Sequence, residues 1–298
     1  MSTILRIEGL SKNYGSINAV QNLSLEIKKG QVYGILGPNG SGKTTTLGMI
    51  LGIINPNAGN YVWFNEEPII NALYNIGSII ETPSFYPYLS AIQNLKIVAD
   101  IKKKEYNQIS DILDRVGLGE RKNSAFKTYS LGMKQRLALA ASMVGNPRVL
   151  VLDEPTNGMD PQGIADIRNL ILDIANKGTT IILASHLLDE VQKICSHVAV
   201  LEKGKKIFDD SVERILAADD YLEVWAEESD QLFELLKSFK GIENISKEHQ
   251  KFIVKLSAGP SKKDLQKYLI QNGIFPSHFI TQTGSLEQKF LELLTRKK

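Results

Sequence analysis

The chain has 298 residues, 43% hydrophobic and 23% charged, with a formal net charge of +2 and a single cysteine. That length allows about two domains with a sizeable core, and a charge so near neutral argues against a dedicated nucleic-acid or anionic-membrane surface. One cysteine makes no internal disulfide, no Cys/His cluster has zinc spacing, and no apolar run approaches the ~18 residues of a membrane span. The opening Met-Ser-Thr-Ile-Leu-Arg-Ile-Glu carries charges where a signal peptide would be apolar, so a cytosolic protein is expected.

Residues 4–9 and 23–27 alternate apolar and polar and read as antiparallel strands. The runs at 31–36, 148–152, 179–184 and 198–201 are short, β-branched and almost uniformly apolar, as in a parallel sheet covered on both faces. Helical periods lie among them at 43–52, 90–103, 106–116, 130–144, 163–176 and 187–195. Residues 1–218 are therefore expected to form an α/β domain whose mixed sheet takes its antiparallel edge from the N-terminal strands.

The rhythm then changes. A strand at 221–226, a helix at 229–239, strands at 242–246 and 251–256, a helix at 261–271 and a strand near 276–281 follow. That β-α-β-β-α-β order is the one used by a ferredoxin-like sandwich, so residues 219–298 are expected to be a small α+β C-terminal domain. A closing helix over 286–294 ends in Arg-Lys-Lys, which suits the negative end of its dipole.

Gly37-Pro38-Asn39-Gly40-Ser41-Gly42-Lys43-Thr44 fits G-x-x-x-x-G-K-[ST] between a strand and a helix. Glycines let successive N–H groups turn inward around phosphate oxygens, and the helix adds its positive end. Lys43 can place an ammonium beside the β- and γ-phosphates, and the Thr44 hydroxyl can ligate Mg²⁺. Downstream, the apolar run at 148–152 ends in Asp153-Glu154. Asp153 is the metal-side candidate, and Glu154 can accept a proton from attacking water. Alone, an acidic strand end or a capping serine is as often structural as chemical, and a lone histidine is more often structural.

At this point the sequence resembles the ATPase subunits of ABC transporters, over essentially residues 3–210. The resemblance rests on Tyr14 in Ser11-Lys12-Asn13-Tyr14-Gly15; the loop Gly37–Thr45, including Thr45; Ser130-Leu131-Gly132-Met133-Lys134-Gln135-Arg136 as the signature sequence; Asp153-Glu154-Pro155-Thr156; Asn157-Gly158-Met159-Asp160; and Ser185-His186. It implies the family's mixed sheet with a helical signature subdomain, and a catalytic set of Lys43, Glu154 and His186. Tyr14 would stack on adenine, although it could equally be a packed strand-end aromatic. Ser130, Gly132 and Asp160 would face ATP bound by a second ABC ATPase, in a homodimer or heterodimer closed around two Mg-ATP. A separate integral membrane permease would be the partner, with the chain peripheral on the inner face of the cell membrane. His197, His249 and His278 lack such context and read as structural or surface residues.

Two departures stand out. Glu81 falls where the family usually has a glutamine; it could still ligate Mg²⁺ but, when ionised, cannot donate a hydrogen bond. Leu131 and Met133 replace the usual glycine and glutamine of the signature, which implies weaker or differently tuned closure. Glu81 with the following Phe85-Tyr86-Pro87-Tyr88-Leu89, the signature segment, and Ser285-Leu286-Glu287 with Phe290 resemble the branch that includes bacitracin-resistance and lantibiotic-immunity exporters. Phe85, Tyr86 and Tyr88 are either permease contacts or internal packing. The resemblance implies export of a peptide antibiotic, drug or other hydrophobic substrate. The alternatives are an ATP-dependent switch or a non-transport ABC ATPase with little coupled turnover.

Overall fold

The computed structural model describes residues 2–65, 69–81, 84–218, 221–257, 259–282, 285–287 and 289–290. They fall into two compact units, Met1–Ser211 and Val212–Lys298.

The first unit is built on a six-stranded sheet in the order Ile76–Ile79, Val149–Asp153, Thr180–Ser185, Val32–Leu36, His197–Glu202 and Lys205–Ser211. All pairs are parallel except the last. Val32–Leu36, Val149–Asp153 and Thr180–Ser185 are buried at every position, which is why they read as unbroken apolar runs. Contrary to the expectation above, the N-terminal strands Thr3–Tyr14 and Ile17–Lys28 do not supply the edge of this sheet. They form a separate three-stranded antiparallel sheet with Ala58–Trp63, and the antiparallel edge of the large sheet is Lys205–Ser211. The correction has a simple cause: the chain of Lys205–Ser211 reads Lys-Lys-Ile-Phe-Asp-Asp-Ser, whose charges belong on an exposed edge but hide a strand from an apolar-run search.

Two other strands escaped the sequence reading. Ala58–Trp63 is exposed over its first half, and Ile76–Ile79 is four residues long and contains Gly77 and Ser78. Gly77 is required by packing, because a Cβ there would lie 1.9 Å from the Ser142 carbonyl oxygen. Its absence lets the helix Leu131–Met143 lie directly on the sheet. Trp63 donates its indole N–H to the Ile50 carbonyl at 2.8 Å and so pins the end of the helix Lys43–Ile50 from the small sheet.

The second unit has the antiparallel strand order Ile242–Glu248, Lys251–Leu256, Tyr221–Trp225, His278–Gln282, with helices Ser229–Ser238 and Lys262–Gln271 between strands in sequence. Each β-α-β unit thus brackets a strand of the other. Its core joins Leu222, Val224, Phe252 and Val254 of the sheet to Leu232, Leu236, Leu265 and Leu269 of the helices. A further helix, Val212–Ala218, precedes it. Of the closing helix expected over 286–294, residues 288 and 291–294 and the Arg-Lys-Lys tail lie outside the described residues; Leu286 is buried.

Candidate functional site

Three neighbouring strands of the large sheet end side by side. Leu36 pairs with Ser185 and Asp153 with Ala184, so the phosphate loop, Asp153-Glu154 and His186 leave the carboxyl ends of adjacent parallel strands. The crevice beyond such strand ends is where open α/β sheets bind ligands.

Gly37 begins the loop and Gly42 caps the helix Lys43–Ile50 without a side-chain hydrogen bond. The first helical N–H groups have no intrahelical partner by construction, so an anion can serve as the cap. Gly42 has φ +104°, and a Cβ there would lie 2.4 Å from the Ala19 carbonyl oxygen. Pro38, Asn39 and Gly40 are exposed at the loop crest, whereas Ser41, Gly42 and Lys43 are buried. Ser41 Oγ has no hydrogen-bond partner among the described residues. Lys43 Nζ donates to the Gly37 carbonyl at 2.8 Å and lies 3.7 Å from Glu154 Oε1. Thr44 is exposed and Thr45 is half-buried in the same first turn.

Thr44 donates its hydroxyl to Asp153 Oδ2 at 2.7 Å. The other oxygen, Asp153 Oδ1, is buried with no partner among the described residues. Burial raises the Asp153 carboxyl above its ordinary range, the Thr44 hydrogen bond opposes this, and the charges of Glu154 and Glu81 add to the rise. The orphaned Asp153 oxygen beside the Thr44 hydroxyl is oxygen chemistry that suits a hard divalent cation such as Mg²⁺, although no cluster of three His, Cys, Asp or Glu side chains with metal-holding geometry occurs among the described residues. Glu81 is exposed with φ +59°, within electrostatic reach of Asp153.

Glu154 also has positive φ, +47°, a strain of about 1 kcal/mol for a non-glycine residue. Its N–H donates to the Ala184 carbonyl at 2.9 Å, which holds the strained turn against the next strand. His186 Nδ1 lies 2.8 Å from Glu154 Oε2. Ser185 accepts the Leu187 N–H at 3.0 Å and shapes the turn that presents His186. This supporting hydroxyl was not assigned a role above; its signal was a serine closing a buried apolar strand.

Tyr14 pairs with Ile17 at the tip of the N-terminal hairpin, is 47% exposed, and has Lys12 Nζ 5.4 Å from its ring centroid. It is not packed into a core, and the same hairpin reaches Gly42 through Ala19. Ser130 caps the helix Leu131–Met143 by accepting the Met133 N–H at 3.3 Å. Asp160 likewise caps the helix Pro161–Asn176 through Gly163 at 3.0 Å. Among the described residues no hydrogen bond or ion pair joins Ser130, Gly132 or Asp160 to the phosphate loop of the same chain.

The ABC transporter family model matches residues 20–157. The chain is 36% identical to the bacitracin transport ATP-binding protein BcrA of Bacillus licheniformis over 99% of its own length and 98% of that protein's. The chain belongs to the ATP-binding subunits of ABC transporters. It is also 39% identical to the lantibiotic transport ATP-binding protein SrtF of Streptococcus pyogenes, over 69% of this chain and 90% of that one. Among solved structures, cbiO1 of Clostridium perfringens, part of the ABC transporter complex cbiONQ, superposes with a TM-score of 0.65 at 30% identity, covering 73% and 92% of the two chains. The fold and the family place nucleotide binding and ATP hydrolysis with this ABC subunit.

The aromatics after Glu81 divide. Phe85 packs edge-on against Phe126 at 5.2 Å, whereas Tyr86 and Tyr88 are 61% and 77% exposed. His197 lies 3.1 Å from the Gln31 amide at the start of its strand, at the opposite end from the crevice, and His278 lies 3.0 Å from Glu223 within the second unit. No described helix is long and apolar enough to cross a membrane.

Proposed function

We propose that this subunit hydrolyses ATP at the crevice of Lys43, Asp153, Glu154 and His186, and does so as a homodimer or heterodimer closed around two nucleotides. The observation that carries the reading is the junction at Glu154. One of its oxygens is tied to His186 and the other faces Lys43, which is how a base is aimed at water beside a phosphate. Glu154 takes the proton as water oxygen attacks the γ-phosphorus and the bond to the ADP oxygen breaks. Lys43 and the loop N–H groups of residues 37–45, all but Pro38, meet the negative charge. Thr44, Asp153 and Glu81 would hold Mg²⁺, which when bound supplies charge neutralisation at the phosphates. Tyr14 stacks on the base, and its exposed ring supports this.

Ser130, Gly132 and Asp160 are not bonded to their own loop, which supports their facing ATP held by a second ABC ATPase. The likeness to bacitracin and lantibiotic transport proteins supports export of a peptide antibiotic or similar hydrophobic substrate through a separate membrane permease. The subunit is then cytoplasmic and held at the inner face of the membrane by that permease. Residues 1–218 act as the ATPase and 219–298 as an appended α+β module.

The test is the ATPase rate against protein concentration, for wild type and Glu154→Gln. Wild-type specific activity should rise with concentration, and Glu154→Gln should lose about 10²–10⁴-fold while trapping an ATP-bound dimer. A concentration-independent rate sinks the dimer. Equal rates in the two proteins sink the base and favour a switch without coupled turnover.

A further inference from the structure

The signature turn and the loop at 157–160 lie far apart in sequence, yet their side chains interlock. Leu131, the first residue of the signature helix, places Cδ2 2.9 Å from where a Cβ on Gly158 would sit; Gly158 has φ +75°. Met159 reaches the other way. Its Cε lies 3.6 Å from a Cβ position on Gly132 and 2.9 Å from one on Gly163. Gly158 thus leaves room for Leu131, and Gly132 and Gly163 flank the Met159 methyl, with Asp160 Oδ1 also 2.7 Å from the Gly163 position.

The loop is also tied back to the catalytic glutamate. Asn157 donates its N–H to the Glu154 carbonyl at 3.1 Å, and Met159 donates to the Thr156 carbonyl at 3.2 Å. Asp160 then caps the helix Pro161–Asn176 through Gly163, whose missing side chain makes room for both the carboxylate and the Met159 methyl. Backbone hydrogen bonds therefore tie Glu154 to the 157–160 loop, and the Met159 methyl of that loop faces the Gly132 backbone.

We propose that Met159 is a positioning residue: seated between Gly132 and Gly163, with Leu131 over Gly158, it makes the signature turn and the 157–160 loop one rigid body. That body presents Ser130 and Gly132 to the second subunit's nucleotide in register with the chain's own Glu154. The inference rests on the dimer reading above and adds how one subunit sets the geometry of its partner-facing wall. Met159 acts through packing, because its thioether brings no charge or strong hydrogen-bonding group to the reacting atoms. Its removal loosens the wall without altering the chain's own phosphate loop.

The experiment compares wild type, Met159→Ala, Met159→Leu and Leu131→Ala, all full length. Three readouts are taken: affinity for a fluorescent ATP analogue at low protein concentration, the protein concentration at half-maximal ATPase, and the rate at saturating protein. Met159→Ala should leave the analogue affinity within twofold and raise the half-maximal concentration about tenfold, with the saturated rate falling less. Met159→Leu, of similar volume, should restore the wild-type value. Leu131→Ala, at an exposed position where folding is not at stake, should shift the midpoint in the same direction. An unchanged midpoint in both alanine variants overturns the proposal, as does a loss of analogue affinity equal to the midpoint shift. If wild type itself shows no concentration dependence, the dimer reading fails first, and that result is distinct from a normal wild type with insensitive variants.

Discussion

His186 and Glu154 form a 2.8 Å contact across the ends of two adjacent strands, imidazole nitrogen to carboxylate oxygen. An ionised carboxylate only accepts, so the His186 Nδ1 carries the hydrogen, and the imidazole orients the base as well as bordering the crevice. His186→Ala should lower the saturated hydrolysis rate about 10²-fold while nucleotide affinity stays near wild type, since a base displaced by an ångström loses roughly that factor. Single-turnover kinetics beside equilibrium binding separates the two effects. An equal loss in both would assign His186 to binding instead.

The phosphate loop allows a comparison between two of its glycines. A Cβ at Gly40 meets nothing within 4 Å among the described residues, whereas one at Gly42 meets a backbone carbonyl at 2.4 Å; both have positive φ. Gly40→Ala should cost about 1 kcal/mol in stability from backbone conformation alone. Gly42→Ala must also push the loop away from Ala19, so it should reduce nucleotide affinity at least about tenfold more. Thermal melts and analogue titrations of the two variants check the order.

Glu81 sits within electrostatic reach of Asp153 on the metal side. Replacing it by the neutral Glu81→Gln removes one negative charge from the proposed cation site. The Mg²⁺ concentration for half-maximal ATPase should rise several-fold, with ATP affinity in the absence of the cation unchanged or improved. A fall in that Mg²⁺ concentration would place Glu81 outside the cation's coordination.

The second unit has its own acid sensitivity. Glu223 accepts from Lys251 at 2.8 Å, His278 at 3.0 Å and Gln282 at 3.2 Å, and the Lys251 bond leads the causes that hold its carboxyl below the ordinary range. A depressed carboxyl contributes stability above its unfolded pKa and loses it as pH falls through the folded value. Wild type should therefore melt higher than Glu223→Gln at neutral pH, and the gap should close below about pH 4. A gap that is constant with pH would mean that packing, not charge, is the cause.

Much of this site was legible before any coordinates. The phosphate loop, Asp153-Glu154 and His186 sit at the ends of uniformly apolar strands, and burial on both faces writes that pattern directly into the sequence. What stayed hidden has physical reasons too. Lys205–Ser211 is an edge, where charge replaces the apolar signal, and Ile76–Ile79 is recognisable only through the helix that Gly77 admits. The seat of Met159 needs folding to bring Gly132 beside Gly163, and no spacing in the chain announces it. Leu131 stood out as a departure from the family pattern; its contact with Gly158 needed the structure.

Thr44 rests on Asp153 and Lys43 on the Gly37 carbonyl. At these two side chains fuel therefore trades partners, and each swap is worth only the modest difference between two comparable bonds. Shallow wells of that kind suit an engine that must discard its spent molecule as readily as it accepts a fresh one.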